Sequence, residues 1–135
     1  MFNAFNPCNI RYSASQKWLG QIGRRNGFCY FSSCFYGYRA FLVLCRTYYN
    51  KYNIRTISDF VHRFAPTSEN NTSAYIGFVV SNLAKHNIDD KFDLSRKRLY
   101  WLAYYVTIFE NGHIPFDVVE QLDKCFNVYA IHICK

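Results

Sequence analysis

Acidic residues are scarce in this 135-residue chain: nine Asp and Glu stand against sixteen Lys and Arg, for a formal net charge of +7. Only three are glutamates, at positions 69, 110 and 120, so carboxyl-based proton transfer has few places to reside. Other absences narrow the chemistry further. The six cysteines (Cys8, Cys29, Cys34, Cys45, Cys125, Cys134) form no C-x-x-C pair, and the four histidines show no ligand spacing, so no metal and no cofactor is expected. No glycine-rich phosphate loop and no nucleophile elbow is present. The longest nearly uninterrupted apolar run, Leu99 to Phe109, is about half of the roughly 20 residues that cross a bilayer. The first residues lack a basic start, a long apolar stretch and a cleavage site. The expectation is a soluble protein, made in the cytoplasm without a signal peptide or transmembrane segment.

What is abundant is apolar and aromatic. Hydrophobic residues make up 50% of the chain, and Tyr, Phe and Trp number 12, 13 and 2, which excludes a disordered chain. The length fits one domain. Several cysteines lie in aromatic runs such as FCYF and LVLCR, where a free thiol behaves as a small hydrophobe, so most are expected to be buried and unpaired. The positive balance favours an anionic partner: nucleic acid, anionic lipid or cell-wall polymer. The cations are scattered, with only Arg24-Arg25 and Arg96-Lys97-Arg98 clustered. That pattern reads as a generic basic surface, and no nucleic-acid partner is expected.

Residues 1–35 read as turns and short strands, with Asn26-Gly27 as a hairpin turn. Residues 36–135 carry about five helices. The spacing of Phe41, Leu44, Cys45 and Tyr48 predicts a helix from Tyr36 to about Lys51. Thr56 caps a second helix that stops at Ala65-Pro66. A polar, cap-like segment at 68–72 precedes a third, with Tyr75, Ile76, Val79, Val80 and Leu83 on one side. Asp93 or Ser95 caps a fourth, apolar on nearly every face and so expected to be buried all round. Gly112 ends it in a left-handed cap, and Pro115 prevents continuation. The fifth helix runs from Phe116 to about Ile133. The expected fold is mainly α, of α+β type, with a small N-terminal hairpin.

Glu110 ranks first as a proton-transfer residue. It ends the apolar helix, where burial and the negative end of the helix dipole both disfavour a carboxylate, so a raised pKa suited to a general acid is expected. The plainer alternative is a first solvated residue at a helix end. Glu69 lies in a polar loop where capping or solvation also explains it, and Glu120 is explained by the dipole at the start of the last helix. His113, three residues beyond Glu110, reads either as a cleft residue or as a solvated loop histidine.

Four segments together resemble a known family. They are Asn6-Pro7-Cys8-Asn9-Ile10-Arg11-Tyr12 with Trp18, Gly20, Gly27, Phe28 and Phe31 following; Tyr36-Gly37-Tyr38-Arg39-Ala40; Phe64-Ala65-Pro66 through Glu69-Asn70-Asn71-Thr72 to Tyr75-Ile76; and Phe109-Glu110-Asn111-Gly112-His113-Ile114-Pro115-Phe116-Asp117. In this order, over about 110 residues, they are similar to the small phage muralytic proteins, often called virion structural proteins, that include the lysin of enveloped double-stranded RNA phages and prophage copies. The resemblance implies one lysozyme-like domain over residues 1–135, related to lytic transglycosylases but circularly permuted, the catalytic helix coming late and the hairpin supplied by the N-terminal region. It implies a peptidoglycan-degrading glycan-strand lyase, acting as a monomer at the cell wall or periplasm, virion-associated or delivered by a secretion system or phage holin.

Under that resemblance Glu110 is the general acid and base, and Glu69 or Asp117 would be a second acid or a substrate contact. Asn9, Arg11, Tyr12, Asn71, Tyr75 and His113 would contact the sugar chain. The sequence departs from the family pattern at Cys8 for glycine, Phe64 for tryptophan, Asn71 for aspartate, Phe109 for histidine and Phe116-Asp117 for Tyr-Ser. The alternative is therefore a catalytically degenerate wall-binding or virion structural protein.

Overall fold

The computed structural model describes residues 2–66 and 71–134. After a 3-10 turn at Phe2–Ala4, a long N-terminal segment leads into a two-stranded antiparallel sheet, β1 (Gln21–Arg25) and β2 (Phe28–Phe31). Five helices follow among the described residues: α1 (Cys34–Tyr52), α2 (Ile57–Phe64), α3 (Thr72–Ala84), α4 (Arg96–Asn111) and α5 (Phe116–Ile133). The architecture is mainly helical with a small hairpin, as the composition and periodicity predict.

The hairpin turns on Asn26 and Gly27, at φ 53° and 83°, the two positive angles of a tight turn whose twist matches the strands. Register runs from Gln21 opposite Phe31 to Arg25 opposite Phe28, with a bulge at Ile22. Only β2 faces inward: Cys29 and Phe31 are buried while β1 is exposed beyond Gln21. Residues 9–12 do not extend the sheet as a third strand; only Arg11 bridges to Phe28.

The helix ends follow local chemistry. Thr56 caps α2 by accepting from the Asp59 amide (3.0 Å), and Asn71 caps α3 by accepting from the Ala74 amide (3.1 Å). Ser95 holds the cap position of α4 without a side-chain bond, its amide donating to Asp93 instead. Gly112 closes α4 at φ 86°. Helix α1 packs chiefly on α5, and α3 lies between α2 and α4. Phe41, Phe60, Leu83, Leu99, Leu102 and Phe126 are among the fully buried core side chains.

The expectation that α4 is buried all round is corrected. Leu99, Leu102, Ala103, Val106 and Thr107 are buried, but Tyr100, Trp101, Tyr104, Tyr105, Ile108 and Phe109 keep part of their surface in contact with solvent. α4 has neighbours on some sides only, and Tyr and Trp tolerate a boundary because one end of each ring is polar. Tyr100 donates to Asp123 (2.6 Å), and His86 bonds the Tyr105 hydroxyl (2.7 Å). All six cysteines are free, five of them buried, in agreement with their placement in aromatic runs.

Candidate carboxylate site and adjoining cleft

The site is built where the N-terminal segment docks on the end of α4. Buried Asn6 fixes that segment: its Nδ2 donates to the carbonyls of Ile10 (2.9 Å) and Cys29 (3.0 Å), and its Oδ1 accepts from the Ile10 amide (2.9 Å). Gly37 in α1 makes room for it, because a Cβ there would stand 2.7 Å from the Phe5 carbonyl oxygen and 2.9 Å from Pro7. From the helix side, Asn111 donates to the Pro7 carbonyl (2.8 Å). Buried Thr107, bonded to the Tyr38 hydroxyl (2.7 Å), lies against Cys8. Four residues from segment and helix thus fix each other before any ligand enters.

This docking carries Asn9 to Glu110, and Asn9 Nδ2 donates to Glu110 Oε1 at 2.8 Å. Asn9 sits at φ 52°, a left-handed conformation that asparagine tolerates better than most residues. Glu110 is half-buried, and no cation forms an ion pair with it among the described residues. On its other side lies Tyr75, fully buried and stacked on Phe109 with ring centroids 4.0 Å apart. Burial, and then the neighbouring Glu110 charge, push the Tyr75 phenol well above its ordinary pKa. Its hydroxyl meets no described residue in good hydrogen-bonding geometry, but it lies close enough to the Glu110 carboxylate for a weak bond to add to that shift.

A cleft of about 620 Å³ opens on the far side of Asn9, between the N-terminal segment and helices α1 and α2. Its walls include Asn9, Arg11, Trp18, Tyr52, Arg63 and Phe64. Glu110 is not itself in the wall; it meets the cleft through Asn9. No carboxylate lines the cleft among the described residues.

The structure brings together Glu110, Asn9 and Arg11 along this line. Asp117, Asn71, Tyr12 and His113 do not join this line. Asp117 is exposed and lines a separate pocket of about 270 Å³ with Phe5, Ser33, Cys34, Val118 and Gln121. Asn71 is occupied in capping α3. Tyr12 lies under the Arg24 guanidinium, 4.8 Å from its ring centroid. Tyr75 has no exposed face for stacking, and its bearing on the site is through its hydroxyl. His113 is exposed, with its ring edge-on to Phe2, and Glu120 is exposed on α5. Glu69 lies outside the described residues. Sequence reasoning missed Asn6, and it missed Trp18, Tyr52 and Arg63 as cleft residues. Asn6 was legible as an asparagine before proline; the cleft walls come from three distant segments and carry no local signal. No group of three or more His, Cys, Asp or Glu is arranged to hold a metal among the described residues, and no described helix is long and apolar enough to cross a membrane.

The fold and site define a small, mainly helical protein with one glutamate at the end of a core helix, latched by an N-terminal asparagine. No family model matches the chain. It is 34% identical over 125 residues to Protein P5 of Pseudoalteromonas phage PM2, an overlap covering 90% of this chain and 76% of the phage protein. The chain belongs to the family of this phage protein.

Proposed function

We propose that the protein cleaves the glycan strands of peptidoglycan as a lytic transglycosylase, with Glu110 as its single general acid and base, in a lysozyme-like arrangement with the N-terminal segment as the opposing wall. The observation that carries this reading is the Asn9–Glu110 pair, which sets a half-buried carboxyl group with no described cation paired to it at the head of a cleft with aromatic and cationic walls. A hydrolase of the usual kind needs two carboxyl groups flanking the bond; one suffices when the sugar supplies its own nucleophile.

In the proposed reaction the glycosidic oxygen takes the place of the Asn9 amide beside Glu110. Protonated Glu110 gives its proton to that oxygen as the C1–O bond breaks. The resulting carboxylate removes the proton from the C6 hydroxyl of the same muramic acid, whose oxygen closes on C1. The product is a 1,6-anhydro end, and Glu110 is again protonated.

The test is mass spectrometry of soluble products from purified peptidoglycan treated with wild type and with Glu110→Gln. Anhydro-muropeptides from the wild type alone are expected. Reducing muropeptides would make the protein a hydrolase. No product from either, with retained binding to walls, would favour a wall-binding or virion structural role.

A further inference from the structure

The cleft contains a cation whose pose the reaction above does not require. Arg63, from the last turn of α2, lies flat on Tyr52 with its guanidinium carbon 3.4 Å from the ring centroid, and 5.6 Å from that of Tyr48. It has no carboxylate partner among the described residues. A guanidinium stacked this way keeps its edge N–H donors free, and that edge matches a carboxylate through two parallel bonds. Beside it, His62 Nδ1 donates to the Ser58 carbonyl (2.8 Å), since a carbonyl can only accept. This fixes the neutral tautomer and leaves Nε2 as an acceptor, suited to a ligand hydroxyl. Arg11 lines the same cleft. With no described acid in this wall, the donor edge of Arg63 selects a negatively charged ligand.

We propose that Arg63, stacked on Tyr52, is a specificity residue that binds a carboxylate carried as a side group on the glycan strand. This inference rests on the reading of the protein as a glycan-strand enzyme. Two parts of the wall polymer can carry that chemistry: the lactyl group of muramic acid where the stem has been removed, and the peptide stem itself where an amide still joins it to the lactyl group. Trp18 offers an apolar face for a sugar ring in the same cleft.

The experiment measures binding by calorimetry in the full-length Glu110→Gln protein, which holds substrate without turning it over, and in the same protein carrying Arg63→Gln or Arg63→Lys. The probes are neutral chitin oligosaccharides, glycan oligomers freed of stems and therefore bearing lactyl carboxylates, and oligomers bearing intact stems. Arg63→Gln is expected to weaken the carboxylate-bearing probes about tenfold and leave the neutral one unchanged, with Arg63→Lys intermediate. Loss on the stem-free probe assigns the lactyl carboxylate as the ligand; loss on the stem-bearing probe alone assigns the stem. Equal binding of all probes to all variants, or equal loss on the neutral one, overturns the inference while leaving the glycan reading intact. Failure of every probe to bind the Glu110→Gln protein itself overturns the glycan reading.

Discussion

The two ends of α4 treat charge in opposite ways. Near its start, Arg98 is buried and donates to Asp89 Oδ1 (2.8 Å) and to the Asp89 carbonyl (2.8 Å), and its Nε lies 3.3 Å from Asp93. The cation is answered by two carboxylates and fixes the connector ahead of the helix. At its end, half-buried Glu110 has a neutral amide and a buried phenol as neighbours, and no described cation pairs with it. A charge retained for architecture is neutralised, because leaving it unpaired would destabilise the fold. A carboxyl group that must alternate between protonation states cannot be locked to a cation without losing its acid form. The contrast is what recommends Glu110 as the acid of the proposed reaction.

The largest expected effect is on activity at that end: Glu110→Gln should lower the turnover of peptidoglycan by at least about 100-fold. The amide can still accept from Asn9, so urea unfolding should show a stability change within about 0.5 kcal/mol. A large loss of stability would make Glu110 architectural like Arg98 and erase the contrast. Arg98→Ala should show the reverse, losing about 2 kcal/mol in urea unfolding because several charge-assisted bonds go at once, with turnover per folded molecule unchanged.

Acid sharpens the comparison. The Lys91 amide and then Arg98 hold Asp89 below the ordinary aspartate range. Burial opposes the charge of Asp93, but the Ser95 amide and hydroxyl and Arg98 outweigh it, so Asp93 is also lowered. A carboxyl group with a depressed folded pKa contributes stability that is complete above its unfolded value, about 3.9, and is lost as pH falls through the folded value. Wild type should therefore lose stability from about pH 4 downward, and Arg98→Ala should lose less over that interval. Equal slopes would mean that Arg98 contributes nothing to either shift.

The smallest effect concerns the thiols. Burial pushes Cys29 and Cys34 up to about 11 and Cys125 to about 12, and lifts Cys8 and Cys45 further. The thiolate is the reactive form, so alkylation of the native protein at pH 8 should label half-buried Cys134 first. Early labelling of Cys8 would show that the N-terminal segment lifts from α4.

The helices were legible because their ends carry local signals: Thr56, Asn71 and Gly112 cap where their side chains or backbone freedom require it. Glu110 was legible as an acid closing an apolar run. Its partner was not, since the bond from Asn9 spans 101 positions and periodicity reports only near neighbours. Arg98 was read as part of a generic basic surface, whereas Asp89 and Asp93, nine and five positions earlier, draw it inside. The half-exposed aromatic face of α4 was missed because hydropathy treats Tyr and Trp as core residues wherever they fall.

The docking of the N-terminal segment on α4 also sets the order in which the protein becomes competent. Asn9 leaves the ribosome more than a hundred residues before the end of α5, yet it meets its partner only when α4 has emerged and a very long loop has closed. Such closure has an entropic cost that local helix formation does not share. An incomplete chain can hold most of its helices and still lack the Asn9–Glu110 pair, so a nascent or truncated copy does not assemble the proposed site.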